Sequence, residues 1–430
     1  MRNNIIIFLL LLLAQDYIGQ DLLSRKDKRK FKKAIKLGDK GERGKAIDFL
    51  TELIIDNSKE SILYSKRGLY YYSNLEFKRA LDDFNEGLAR DYSNYEAFML
   101  RWYCYYSLDM NKEALIDLKI LIRSDKENDS YHYYIAGCYE ELEKFQLAVS
   151  HLDTALFYQN SDSDLEEYYL HRGYSRSQLQ NYEGAIADFS KALTYNDTNY
   201  FVLTNRSSCY RYLNELDKAT EDIMLIVKND SLNFKAYHEL AIIEAIKEHH
   251  EKSIFFDKKV IALDSSYHEA YLNLSRVYLM LKKYDESEKA LDACPMNTKY
   301  LSQYYLNYSL LYKEQGDSSK AFEYLKKGLN SEAEPYDSSV LNNFGFEFEE
   351  LGHSKLALKA YNKSIGLNVN YTYSYNNRAN VKFKLGDVEG ACRDWNKALE
   401  KGYVYNPDWK EEYGIENPKD LIEKHCTNKN

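Results

Sequence analysis

Residues 166–199 read EEYYLHRGYSRSQLQNYEGAIADFSKALTYNDTN, and this stretch decides the fold. Gly173 sits in one amphipathic run; Ala185, Phe189 and Ala192 line one face of a second. Indexed on Ala185, the same small position recurs as Ala46, Ala80, Ala114, Ala148, Ala219, Ser253, Ser287, Ala321, Ala357 and Ala391. Successive steps are 34, 34, 34, 37, 34, 34, 34, 34, 36 and 34 residues. Twelve residues earlier lies a second small position: Ala34, Gly68, Ala136, Gly173, Ser207, Ala241, Ser275, Ser309, Gly345 and Ala379, broken by Trp102. An aromatic follows three residues on at Tyr71, Tyr105, Tyr139, Tyr210, Tyr278, Tyr312 and Phe348. Facing small residues let two antiparallel helices approach closely, and the aromatic fills the space beyond. Each unit is then a helical hairpin that cannot bury its apolar face alone and must stack on its neighbours.

This pattern resembles the tetratricopeptide repeat family over residues 27–405. Eleven repeats start near 27, 61, 95, 129, 166, 200, 234, 268, 302, 338 and 372. The resemblance implies an all-α fold, an α-solenoid of stacked helix-turn-helix repeats wound into a right-handed superhelix. The family's usual proline near the end of each unit is absent, and Asn128-Asp129, Asn196-Asp197 and Asn229-Asp230 take those turns, where such residues turn the chain and cap the next helix. Trp102 in a glycine place predicts a local distortion in the third repeat, with Gly87 providing room.

Four prolines in 430 residues agree with a helical chain. With 58 basic and 67 acidic residues the net charge is −9, which argues against nucleic acid as the main partner. The N-terminus reads differently from the rest. Arg2 precedes a ten-residue apolar run, Ile5 to Ala14, too short to span a bilayer and suited to a signal peptide over residues 1–19. No cysteine lies near the cut to carry a lipid anchor. A basic arm at 20–26 follows, continuous with the cluster RKDKRKFKK at 25–33, which reads as a solvated first helix. Residues 406–430 form a capping tail.

Comparison of the repeats exposes a paired charge. Arg67, Arg101, Arg172, Arg206 and Arg378 are each followed sixteen residues later by Asp83, Asp117, Asp188, Asp222 and Asp394. The other six repeats have neither partner, so each pair reads as a structural ion pair between the two helices of one hairpin.

No catalytic constellation, phosphate loop or metal motif is present, so the sequence predicts neither enzyme, cofactor nor metal site. His249 and His250 fall in an interhelix turn and read as solvated. Cys104, Cys138 and Cys209 share one phase and read as core. Cys392 and Cys426 stand apart near the end of the chain, where an exported protein can oxidise them; sequence leaves their Cα separation, and so their pairing, open.

By resemblance, the first helices line a concave groove that holds the partner. The groove positions are Tyr72, Met99, Tyr103, Tyr106, Tyr133 and Tyr174 in the second to fifth repeats. Later repeats place Thr204, Ser208, Arg211, His238, Arg276, Lys313, Asn342, Asn376 and Asn380 there. The lysine, arginine and asparagine set with which some family members grip a C-terminal carboxylate is incomplete: Asn205, Asn273, Asn307, Asn343 and Asn377 lack their companions. The reading is a non-enzymatic scaffold of the bacterial cell envelope, periplasmic or secreted, binding a protein or peptide segment. The alternative is a glycan-binding envelope protein that stacks sugars on the tyrosines. If the export reading holds, chain recovered from its native host begins near residue 20. N-terminal sequencing checks this, and a soluble cytosolic chain beginning at Met1 would contradict it.

Overall fold

The structure, a computed structural model, describes residues 23–159, 164–295, 301–331, 337–407, 410–411 and 414–426. The segment expected to be a signal peptide, 1–19, lies outside them. The described residues form 23 helices and no strand. They group into two units, 1–215 and 216–430, each a stack of antiparallel hairpins.

In the first unit the hairpins are α1 (Arg25–Asp39) with α2 (Arg43–Asp56), α3 (Ser61–Ser73) with α4 (Phe77–Arg90), and α5 (Tyr95–Ser107) with α6 (Asn111–Ser124). Then come α7 (Asp129–Glu141) with α8 (Phe145–Tyr158), α9 (Leu165–Gln178) with α10 (Tyr182–Ala192), and α11 (Tyr200–Tyr212). The second unit opens with α12 (Leu216–Asn229), followed by α13 (Phe234–Ile246) with α14 (His250–Leu263), and α15 (His268–Met280) with α16 (Tyr284–Asp292). It continues with α17 (Leu301–Glu314) and α18 (Ser318–Asn330), α19 (Ser338–Glu350) and α20 (Ser354–Leu367), and α21 (Thr372–Lys384) and α22 (Val388–Glu400). The short α23 (Pro418–His425) closes it. Within each unit a second helix packs on its own first helix and on the first helix of the next hairpin. Arg25 and Lys26 already belong to α1, capped by Ser24, so the expected arm is partly helix.

Local chemistry sets the ends. Asn94, Asn128, Asn199 and Asn233 cap first helices by accepting from main-chain N–H groups at 3.0–3.2 Å; of the turn residues expected to cap, only Asn128 is among them, and the caps after Asn196-Asp197 and Asn229-Asp230 are Asn199 and Asn233. Within each hairpin the tight turn needs one left-handed residue. Gly316 and Gly352 supply it without strain, whereas earlier repeats force Leu75, Asp109 and Glu143 to φ of 55–63° at the same phase.

The small position is where the two helices nearly touch. A Cβ on Gly68 or Gly173 would lie 2.9 Å from the ring of Phe84 or Phe189, sixteen residues on. The third repeat exchanges the roles: Trp102 stands opposite Leu118, and both are fully buried. The expected distortion does not alter helix length: α5 keeps the same thirteen residues as α3 and α7. The Trp102 indole turns instead toward Tyr103 and Tyr134, its ring centroid 3.9 and 4.6 Å from theirs. Nor does Gly87 provide the room; a Cβ there would press on Ser65 Oγ at 3.0 Å.

Four of the arginines hold their aspartates through two parallel hydrogen bonds. Nε and Nη2 donate at 2.8 and 2.7 Å from Arg67 to Asp83, and at 2.8 and 2.6 Å from Arg101 to Asp117. The distances are 3.0 and 2.6 Å from Arg172 to Asp188, and 2.8 and 2.6 Å from Arg378 to Asp394. Arg206 belongs to the first unit and Asp222, buried, to the second. Each arginine also does something the repeat comparison missed: its Nη1 reaches the second helix of the preceding repeat. The acceptors are Thr51, Asn85, Asp153, Ser190 and Asn362, at 2.6–3.0 Å. One side chain therefore ties a hairpin shut and pins it to its neighbour.

In the fourth repeat, which lacks the pair, His151 takes the aspartate place and its Nδ1 lies 3.0 Å from that of His132. Burial, with His132 adding to it, pushes His151 down to about 4. Burial also pushes the Asp83 and Asp117 carboxyls upward against the pull of their arginines, so desolvation consumes much of what the ion pair returns. Asp117→Ala should accordingly cost about 3–5 kcal/mol by stranding the Arg101 charge, whereas Arg101→Met with Asp117→Leu should cost less. Thermal melts of both variants compare them, and equal losses would mean that the pair contributes little.

Candidate functional site

The six aromatic-end positions are on first helices, but the structure withdraws two of them from any groove. Met99 and Tyr133 are only 8% and 7% exposed, inside the core that runs through the second to fifth repeats. Tyr133 is enclosed by the rings of Tyr134, Tyr168 and His171 at 5.1–5.3 Å, and its hydroxyl donates to Glu167 at 3.1 Å. Burial and that carboxylate push its phenol far above the usual range. Tyr103 stacks on Trp102 and donates to the Tyr134 hydroxyl at 3.3 Å. Tyr106 lies edge-on to Trp102, and Tyr72 is half-buried against Phe77, its phenol pushed up to about 12 by burial. Tyr174 faces Phe145 and Phe201 at 6.2 and 6.4 Å. Tyr103 and Tyr133 therefore join successive first helices through rings of the next repeat, whereas Tyr72, Tyr106 and Tyr174 stay half-buried.

The same correction applies to the polar end. His238 is buried with Nδ1 3.2 Å from Asp257, and Asn342 and Asn376 are buried. Asn380 accepts from the Trp395 indole at 2.9 Å, and Lys313 is paired with Glu347 at 2.8 Å. Asn343, one residue further along α19 than Asn342, is exposed, and its side chain makes no hydrogen bond among the described residues.

Asn343 opens onto a cleft of about 340 Å³ in the second unit. Helix α19 contributes Asn342, Asn343 and Phe346; the start of α21 contributes Tyr371, Tyr373 and Asn377. The third wall, Tyr403 and Ile415, comes from the segment that follows α22. Tyr403 is placed by Asn376 Nδ2, which donates to its hydroxyl at 3.2 Å, and Ile415 by its carbonyl accepting from Tyr405 at 2.9 Å. A disulfide between Cys392 and Cys426, Cα atoms 5.7 Å apart, closes the loop that carries both wall residues. Its 34-residue span corresponds to about 4 kcal/mol of loop-closure stabilisation. Leu421 and Ile422 of α23 pack with Trp395 and Phe383, covering the last hairpin. Cys104, Cys138 and Cys209 are buried free thiols, as is Cys294.

Sequence reasoning marked Asn343 and Asn377 only as remnants of a carboxylate-binding set. Their shared phase beside Phe346 and Tyr373 was the available signal; nothing in the sequence pointed to Tyr403 or Ile415. Tyr133→Ala should lower thermal stability by about 3–5 kcal/mol as a buried ring is lost, whereas Asn343→Ala should stay within about 0.5 kcal/mol of the parent. Circular-dichroism melts distinguish the two; a neutral Tyr133→Ala would return that residue to the groove.

The tetratricopeptide repeat model matches residues 166–199, 268–294 and 302–335. Human tetratricopeptide repeat protein 6 is 24% identical over 299 residues, covering 67% of this chain and 55% of that protein. The TPR repeat-containing protein MJ1428 of Methanocaldococcus jannaschii is 22% identical over 332 residues, 73% of this chain and 53% of its own length. The chain thus spans about half the length of these two relatives. The crystal structure of yeast Tom70 superposes with a TM-score of 0.53 at 13% identity, covering 94% of this chain and 97% of that one, a likeness of fold alone. The period, the hairpins and these matches together identify tetratricopeptide repeats in this chain, and the 23 described helices fit roughly eleven of them.

Proposed function

We propose that this chain is a non-enzymatic scaffold of the bacterial cell envelope that holds a segment of a partner protein against its first helices. Tetratricopeptide repeat proteins commonly mediate protein–protein interactions and are generally not enzymes. The observation that carries the reading to a place on this chain is the cleft beside α19 and α21, where the Asn343 amide is exposed with its hydrogen-bonding groups unused. Export is supported by the short apolar run Ile5 to Ala14 and by the Cys392–Cys426 disulfide, a bond that persists in oxidising compartments. Among the described residues no helix is long and apolar enough to cross a membrane.

A photo-crosslinking residue at Asn343, compared with one at Phe255 on the exposed side of α14, tests this in envelope extract. Protease-sensitive adducts at Asn343 and not at Phe255 are expected. Equal labelling at both sites, or adducts that survive protease treatment, would count against a protein partner in the cleft.

A further inference from the structure

The first helix presents a face that the fold does not use. From Arg25 to Lys36 every exposed side chain of α1 is basic: Arg25, Lys26, Arg29, Lys32, Lys33 and Lys36. Arg25, Arg29, Lys32 and Lys36 step by four, three and four residues, so they form one row along the helix, about 16 Å long. On the opposite side Phe31, Ala34 and Ile35 are buried with Leu50 and Leu53 of α2. The row makes no ion pair among the described residues. Lys30, off the row, reaches Glu52 at 3.7 Å, and Asp27 accepts from Ser24 Oγ at 2.7 Å.

Capping the stack does not require such a face. A terminal helix needs a polar outer side, and mixed signs serve solubility as well as one. Near the other end of the chain α23 exposes Lys419 and Lys424 beside Asp420 and Glu423, two of each sign. The first forty residues carry ten basic and four acidic side chains, a net of +6. The remaining 390 carry 48 basic and 63 acidic, a net of −15. A basic end on an acidic chain is drawn to an anionic surface while the rest is turned away from it.

The kind of surface follows from what the row lacks and where it lies. No exposed side chain between residues 25 and 36 is apolar or aromatic, so the row has none of the anchors that dominate protein interfaces. Nor has it a ring on which an unpaired base could stack. A straight row of like charges instead meets a flat array of phosphates along its whole length. Ten residues lead from Ala14, the end of the apolar run, to Ser24, a reach of at most about 36 Å. A bilayer that takes up the run therefore has α1 beside its headgroups. The apolar side of α1 is committed to α2, so the helix adheres by charge and does not insert.

We propose that α1 is a peripheral membrane-binding helix, laying the row of Arg25, Arg29, Lys32 and Lys36 on the phosphates of anionic phospholipids. The occupant is a lipid surface, and the helix is in the first unit, away from the residues that carry the scaffold reading; the two stand or fall separately.

The test uses the full chain and vesicles of phosphatidylcholine, alone or with about one part in three of phosphatidylglycerol. Flotation should show binding to the mixed vesicles that exceeds binding to phosphatidylcholine and falls steeply between about 0.05 and about 0.5 M salt. Arg25→Gln, Arg29→Gln, Lys32→Gln and Lys36→Gln together should weaken it about a hundredfold or more at an unaltered melting temperature, since Gln matches Lys in helix propensity. The milder pair Lys32→Gln and Lys36→Gln should lose about tenfold, and the charge-conserving set Arg25→Lys, Arg29→Lys, Lys32→Arg and Lys36→Arg should stay within about threefold. Lys112→Gln, Lys235→Gln, Lys258→Gln and Lys355→Gln, exposed residues elsewhere with the same change in net charge, should also stay within about threefold. Equal binding to both vesicles, no binding to either, or binding that survives the α1 substitutions overturns the proposal. So does an equal loss in the control set, or tighter binding to duplex DNA at equal phosphate concentration. Crosslinking at Asn343 decides the scaffold reading independently of all these outcomes.

Discussion

Everything in this molecule depends on two helices coming close enough that a side chain on one leaves room for a ring on the other. At Gly68 and Gly173 the facing phenylalanine occupies the space that a Cβ would need. The constraint concerns the sum of two volumes rather than either residue alone. That is why Trp102 is accommodated opposite Leu118, and Ala379 opposite Trp395, without a change in helix length. Interiors packed to crystal-like density tolerate such exchanges when total volume is kept.

The arginine clamp is built on that approach. Once the helices of a hairpin are close, the guanidinium fork spans them to a buried aspartate, and the third nitrogen is left pointing at the preceding repeat. A polar residue waits there in each of the five repeats: threonine, asparagine, aspartate or serine. The clamp thus couples closure of a hairpin to its stacking. Its energetic return is tempered by desolvation, which raises the carboxyls of Asp83 and Asp117, so its clearer contribution is to register.

Stacking also consumes the surface that the repeats first seem to offer. Tyr103 and Tyr133 lie on first helices at groove phases, yet successive repeats sit close enough that their rings meet the next helix before they meet solvent. A surface with unused hydrogen-bonding groups persists at Asn343, where the segment after α22 folds back to make a third wall. The disulfide holds that segment on the last hairpin, so the cleft is a product of both the repeats and the segment that follows them.

The sequence by itself determined the fold, because a 34-residue period with two small positions twelve apart has one compact solution, a stacked helical hairpin. It also determined four of the arginine–aspartate pairs, since the two residue types arrive together, and it placed the cap at Asn128. What it left undecided was exposure. Periodicity assigns a side chain to a helix face, but whether that face meets water or the neighbouring repeat depends on the distance between repeats, which no single repeat encodes. Hence Tyr133 and Met99 passed from groove to core. The walls of the cleft came from α19, the start of α21 and the segment after α22, spread from residue 342 to residue 415, and only the folded chain brings Asn343, Tyr373 and Tyr403 to one place.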